Sequence, residues 1–221
     1  MLLTMFIPNY LIVCLIPLMI ETMVVYDLSI TAPTSEALSA WSGTTTIGIT
    51  NARRSYIGPF GNDSIELRVR NLPLHDSISI SLTLYILGSW DGVADDDHLA
   101  LCLDGTDTLL TTTFSNTSDP QNYPEMRGGK TFTRRTGAAE VDVTGWVFAE
   151  SRIFNGSLDA AYTLRFTVPH TKSTCNLSLA ATLKDVRPIP ANEAWGIGDV
   201  RLEVTTVMKV ESDGTTIVPG R

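Results

Sequence analysis

Residues 77–86 restrict the fold of this chain more than any other stretch. Ile78, Ile80, Leu82, Leu84 and Ile86 alternate with Ser77, Ser79, Ser81, Thr83 and Tyr85. A repeat of two is the mark of a strand with one apolar and one polar face. On a helix the same aliphatics would be scattered around the whole circumference. The stretch runs into Gly88-Ser89-Trp90-Asp91-Gly92, a turn with a large aromatic inside it. Asp95, Asp96 and Asp97 follow, and a second strand starts at His98.

The same period recurs along the chain. Ile65, Leu67 and Val69 alternate with polar residues, as do Leu99, Leu101 and Leu103. So do Tyr162 to Val168, Leu177 to Leu183, and Val200 to Val210. Val24 to Leu28, Thr44 to Thr50, Leu109 to Phe114 and Val141 to Phe148 add shorter strand signals. Turn chemistry separates them, as at Gly58 to Asp63 and at Asp104-Gly105. No amphipathic helix is apparent after residue 23. The pattern predicts an all-β, antiparallel β-sandwich, jelly-roll-like, with a barrel as the alternative. Leu82, Leu84, Leu101, Phe166, Leu179 and Leu202 are expected in its core. Residues 115–140 form a long segment rich in Ser, Asn, Pro, Gly and Arg. A loop of that size is functional, disordered or tied down by side chains.

Residues 1–20 are almost entirely apolar, and no Lys or Arg precedes Arg53. This is the length of a secretory signal or of one membrane-spanning helix. The expected organisation is therefore an N-terminal hydrophobic helix over residues 1–23, a sandwich over 24–210 and a polar tail over 211–221. In either case the sandwich is expected outside the cytoplasm, extracellular or periplasmic, secreted or anchored by one N-terminal transmembrane helix. The formal charge of -8 in 221 residues argues against nucleic acid, which needs clustered Lys and Arg. Of the three cysteines, Cys14 lies in the apolar stretch. Cys102 and Cys175 fall on strands, either as one disulfide or as two packed thiols.

Several stretches together resemble a family of uncharacterised secreted bacterial proteins. They are Phe60-Gly61-Asn62-Asp63, Leu72-Pro73-Leu74-His75, Leu84 to Gly92, Thr112 to Asn116, Gln121 to Pro124, Thr136 to Glu140 and Glu193 to Val200. The resemblance covers about residues 24–204. It implies export and a jelly-roll-like sandwich, and it says little about activity. The last motif departs from the family's Glu-Ser-Trp-Gly-Leu-Asp-Asn-Val, with Gly198 where the family has an acid. The family's sorting tail is absent from residues 211–221.

Two candidate sites follow from the residues. Asp91, Asp95 and Asp97 form a carboxylate cluster of the kind that offers oxygens to Ca²⁺; a solvated acidic loop is the plainer reading. Trp90 and Trp195, each in a motif turn beside glycine and acid, are candidates to stack on sugar rings; capping the core is the alternative. His75, His98 and His170 lack metal-ligand spacing. No Gly-x-Ser-x-Gly elbow is present, and no spacing singles out a glycosidase carboxylate pair. Sequons at Asn62, Asn116, Asn155 and Asn176 matter only in a eukaryotic secretory host. The expected function is a non-catalytic, exported binding or adhesion module for carbohydrate or a surface protein, with a structural Ca²⁺. The alternative is an anchored accessory subunit packed on the transmembrane helices of a larger complex; a hydrolase comes third.

Overall fold

A computed structural model describes residues 18–28, 34–43, 46–50, 54–146, 158–184, 192–210 and 216–217. The strands are β1 (Leu18–Leu28), β2 (Trp41–Ser42), β3 (Ile47–Ile49), β4 (Ser55–Phe60), β5 (Ser64–Arg70), β6 (Ser77–Gly88) and β7 (His98–Leu103). They continue as β8 (Asp107–Thr113), β9 (Glu140–Val141), β10 (Asp159–Pro169), β11 (Thr174–Thr182), β12 (Glu193–Val210) and β13 (Thr216–Ile217). One short helix, α1 (Ser35–Ser39), is capped by the Thr34 hydroxyl, which accepts from the Ala37 N–H.

The strands form two antiparallel sheets. The larger has the order β3-β4-β12-β6-β10-β9, with β1 and β13 also on β12. The smaller has the order β2-β5-β11-β7-β8. Within these, β4-β12-β6-β10 faces β5-β11-β7-β8. The chain crosses between the sheets from β4 to β5, β5 to β6, β6 to β7, β10 to β11 and β11 to β12. That interleaving is the connectivity of a jelly roll.

The alternation in β6 explains the central position of that strand. Ile78, Ile80, Leu82, Leu84 and Ile86 are at most 1% exposed and face the other sheet. They meet Leu67, Leu99, Leu101, Leu177 and Leu179 in one apolar core. Each such side chain contributes about 1.5–3 kcal/mol on burial. All the expected core residues lie in it, although Phe166 is only partly buried at its edge.

Near its end, β6 is covered on both faces. Tyr85 and Leu87, on the face away from the core, are also fully buried. A second apolar cluster of Tyr56, Tyr85, Leu87, Ala161 and Ala194, with Val143 and Trp146, covers this patch of the larger sheet.

The long 115–140 segment is tied down by side chains. The Gln121 side-chain oxygen accepts from the N–H groups of Ser115 and Arg135, and its NH₂ donates to Tyr123 O and Thr136 O. Asn116 donates to the carbonyls of Ile86 and Gly88. These contacts assign structural work to the motifs at Thr112 to Asn116 and Gln121 to Pro124.

One expectation needs correction and one open alternative is decided. The helix expected over residues 1–23 lies outside the described residues as far as residue 17, and residues 18–23 are strand, paired with Val204 to Lys209. Among the described residues no helix is long and apolar enough to cross a membrane. Cys102 and Cys175 are free thiols. Cys175 points into the core from β11 and Cys102 sits opposite Ser178 with its side chain on the outer face, so the two cannot meet. Burial pushes the Cys175 thiol up to about 12, which leaves it inert.

Candidate functional site on the outer face of the larger sheet

A row of residues crosses the outer face of the larger sheet perpendicular to the strands. Tyr85 of β6 has Gly196 of β12 on one side and Ala161 of β10 on the other. Ala161 in turn pairs with Glu140 of β9. Beyond Gly196 lies Tyr56 of β4, itself paired with Gly48 of β3. The small residues leave room for the rings to lie down on the sheet. A Cβ on Gly196 would come within 2.5 Å of the Tyr56 ring, and one on Gly48 within 2.2 Å. The Tyr56 and Tyr85 rings lie 5.2 Å apart at a tilt of 43°, a favourable aromatic geometry.

Charged and polar groups border this aromatic floor. Arg54, just before β4, makes a bidentate ion pair with Glu140. The pair raises the Arg54 pKa and holds the Glu140 carboxyl below its ordinary value. Both side chains remain partly open to solvent, at 30% and 39%. Asp199 is exposed and sits in a bulge of β12 where the register shifts between Gly198 and Arg201. Its φ of 46° is a left-handed conformation that costs a non-glycine residue energy. The nearby Arg201 is already engaged by Asp27 and Glu203.

A strap, residues 142–146, closes one side. The Asp159 carboxylate accepts from the N–H groups of Val143 and Thr144 and from the Thr144 hydroxyl. That clamp delivers Trp146 to the aromatic patch. Tyr85 faces the charges of Arg54, Asp199 and Glu140, and burial pushes its pKa up to about 12. Its hydroxyl is buried with no hydrogen-bond partner among the described residues, and the same holds for the Trp146 indole N–H. Buried polar atoms without partners are rare in folded proteins and cost about 1–3 kcal/mol each.

The tryptophans singled out from the sequence are elsewhere. Trp90 and Trp195 are both 0% exposed. The Trp90 indole donates to Ala194 O and the Trp195 indole to Gly61 O, each at 2.8 Å. They cap the core and offer no open face for stacking. Trp195 lies on β12, and the turn around Trp90 is set by glycines: Gly88 and Gly92 adopt positive φ, and a Cβ on Gly92 would collide with Pro120 O at 2.4 Å.

The acidic turn is partly as expected. Asp91 and Asp97 come together, with ligand oxygens within 4.8 Å, but their third partner is Glu193 at the start of β12 and not Asp95. Asp97 is fully buried and accepts from the N–H groups of Asp91 and Lys184. Burial raises the pKa of both Asp91 and Asp97. The Glu193 carboxyl stands beside that of Asp97. Three carboxyl groups around one point also match the oxygen chemistry that Ca²⁺ prefers, with further oxygens needed to reach six to eight. Of the histidines, His75 and His170 meet each other and His98 stands apart, capped onto Asp96 O.

The outer-face site was legible only in part. Tyr85 and Leu87 break the polar half of the β6 alternation, a signal that this face is covered. Arg54, Glu140 and Trp146 carry no spacing that could have marked them.

The sequence matches no protein-family model and no curated protein. Loose overlaps with solved structures exist. A family 35 carbohydrate-binding module from Clostridium thermocellum overlaps at a TM-score of 0.37 and 9% identity, over 83% of this chain and 97% of that one. The K1 cleaved adhesin domain of Lys-gingipain from Porphyromonas gingivalis gives 0.36 and 11%, over 82% and 97%. The C-terminal CBM6 of the laminarinase LamC from Zobellia galactanivorans gives 0.33 and 10%, over 83% and 99%. Overlap this loose transfers neither fold nor ligand to this chain.

Proposed function

We propose that this jelly roll is an exported, non-catalytic carbohydrate-binding module that holds its ligand on the outer face of the larger sheet. The observation that carries the reading is the half-buried Trp146, packed over the buried Tyr56 and Tyr85 and bordered by Arg54, Glu140 and Asp199. Sugar recognition needs this combination: apolar ring faces for the C–H surface of a pyranose, with a few placed polar groups for its hydroxyls. A residue held in a strained left-handed bulge at the edge of such a patch is a further mark of a working site. In this reading Trp90 and Trp195 build the scaffold. Asp91, Asp97 and Glu193 are the place for a structural Ca²⁺, which relieves the crowding of their carboxylates and pins the β6–β7 turn to β12.

Affinity electrophoresis through gels containing polysaccharide tests the site. Wild-type protein is retarded, and Trp146→Ala and Asp199→Ala both run at the unretarded rate while keeping the wild-type circular dichroism. Equal retardation of all three rejects the outer face as the binding surface.

A further inference from the structure

A line of open positive charge runs along the edge of the smaller sheet beside β8. We propose that this line is a second binding surface, separate from the outer face of the larger sheet, and that it holds an acidic polysaccharide.

The sequence supplies the charge. From Met126 to Ala139 there are four cations, Arg127, Lys130, Arg134 and Arg135, and no acid, in a chain of formal charge -8. The fold draws this stretch out along β8, the last strand of the smaller sheet. The Thr111 N–H donates to Met126 O, and Gln121 and Phe132 form a backbone bridge. Arg127 donates to Thr108 O at one end and Arg134 to Asn116 O at the other. Lys130 lies between them, its carbonyl accepting from Asn122, which is itself bonded to Thr113. Extended chain from Thr108 to Asn116 covers about 25 Å, at about 3.3 Å per residue.

Three of the four charges are open. Arg127, Lys130 and Arg134 are exposed, and none is paired with a carboxylate among the described residues. Arg127 and Arg134 each donate to a backbone carbonyl, which orients the guanidinium and leaves its charge in place. Arg135 differs: it turns onto Asn116 and pairs with Asp142. The acids nearby are engaged elsewhere. Asp119 accepts from the Thr117 hydroxyl, Glu140 holds Arg54, and Asp107 faces Lys172. A Cβ on Gly128 or Gly129 would meet nothing within 4 Å, so the line is open to a polymer. The exposed hydroxyls of Thr131 and Thr133 stand between the cations and can both donate to and accept from sugar hydroxyls.

Spacing selects the partner. Three cations over about 25 Å stand roughly 10 Å apart, whereas a nucleic-acid strand carries a phosphate about every 3.4 Å. A polysaccharide with a carboxylate or sulfate on each sugar, or on every second one, is the sparser polyanion. The negative charge of the whole chain also opposes a dense phosphate backbone more than a sparse polymer.

The test is binding of the full chain to columns of immobilised polygalacturonate, alginate or chondroitin sulfate, with single-stranded DNA and phosphatidylserine vesicles as rival partners. Wild type is expected to bind at least one of the acidic polysaccharides. Its affinity should fall about twentyfold between 50 and 200 mM salt, the dependence expected of about three polyanion contacts. Lys130→Gln lowers the affinity about threefold, the scale of one exposed ion pair, and Lys130→Arg retains it. Arg127→Gln, Lys130→Gln and Arg134→Gln combined abolish binding while the circular dichroism stays that of wild type. Undiminished binding by the combined variant overturns the line as the site. Binding to DNA or vesicles and to none of the acidic polysaccharides overturns the partner class. Binding to nothing overturns the surface itself. Trp146→Ala in the polysaccharide gels reports on the outer face separately, so failure of either surface leaves the other standing.

Discussion

His75 Nε2 and His170 Nδ1 lie 2.6 Å apart, ring planes 15° from parallel, at the end of the sandwich where β5 leads into β6 and β10 into β11. The pair is bounded by acceptors. His75 Nδ1 donates to Pro73 O at 2.6 Å, and His170 Nε2 faces the Asp104 carboxylate at 3.3 Å. Three contacts need three ring protons, and two neutral imidazoles carry two. The shortfall falls on the longest contact, and Lys172 compensates by donating to the same Asp104 oxygen at 2.8 Å.

This arrangement predicts acid sensitivity. Burial lowers the His170 pKa below its ordinary 6.5, against the opposing pull of Asp104. A histidine with a depressed folded pKa adds stability that is fully present above 6.5 and is lost as pH falls through the folded value. Asp104 follows at lower pH. Burial works to raise its pKa, but Lys172, the Asn176 N–H and His170 outweigh it and set it below 3.8. The melting temperature should therefore fall between about pH 7 and pH 5, and His170→Gln should flatten that slope. A wild-type melting temperature constant over this range contradicts the assignment.

The core makes a quantitative prediction. Leu82 pairs with Leu164 across β6 and β10, and both are 1% exposed. Leu82→Ala should cost about 2–5 kcal/mol, read from the urea midpoint at constant m. A loss below about 1 kcal/mol would mean that β6 is not the central strand.

The fold could be read from residues such as Leu82 because burying one face of a strand forces a repeat of two, and that repeat needs no partner to be visible. The site could not. Tyr85, Glu140 and Asp199 stand on different strands, Arg54 just before another, and they meet only through sheet order, which no local spacing encodes. The tryptophans misled for a related reason. An indole beside glycine and acid has the same sequence whether the turn carries it outward or, as with Trp90, folds it onto Ala194 O. Glu193 was missed at the acidic turn because it comes from the far end of the chain.

Ca²⁺ at Asp91, Asp97 and Glu193 predicts a ligand-dependent melting temperature. An ion bound to the native state alone adds RT ln(1 + [L]/Kd), about 2.7 kcal/mol at a hundredfold excess over Kd. Chelator should lower the melting temperature, added Ca²⁺ should restore it, and Asp97→Asn should abolish the response. An identical melting curve with chelator and with Ca²⁺ rejects the ion.

The strap makes a separate prediction. Asp159→Ala removes the acceptor for two backbone N–H groups and one hydroxyl. It should cost about 1–3 kcal/mol and increase amide exchange at Val143 and Thr144 above that of β6. Unaltered protection at those two amides would show that Asp159 does not hold the strap.

The central claim is that sugar sits on the outer face against Trp146, and one measurement tests it most directly. Amide and side-chain chemical shifts are followed during titration with the polysaccharide fragment that retards the protein most. The account predicts shifts clustered at Tyr56, Tyr85, Trp146, Glu140 and Asp199, with Trp90 unmoved. Shifts confined to other surfaces, with the Tyr85 and Trp146 signals unchanged at saturation, would contradict it.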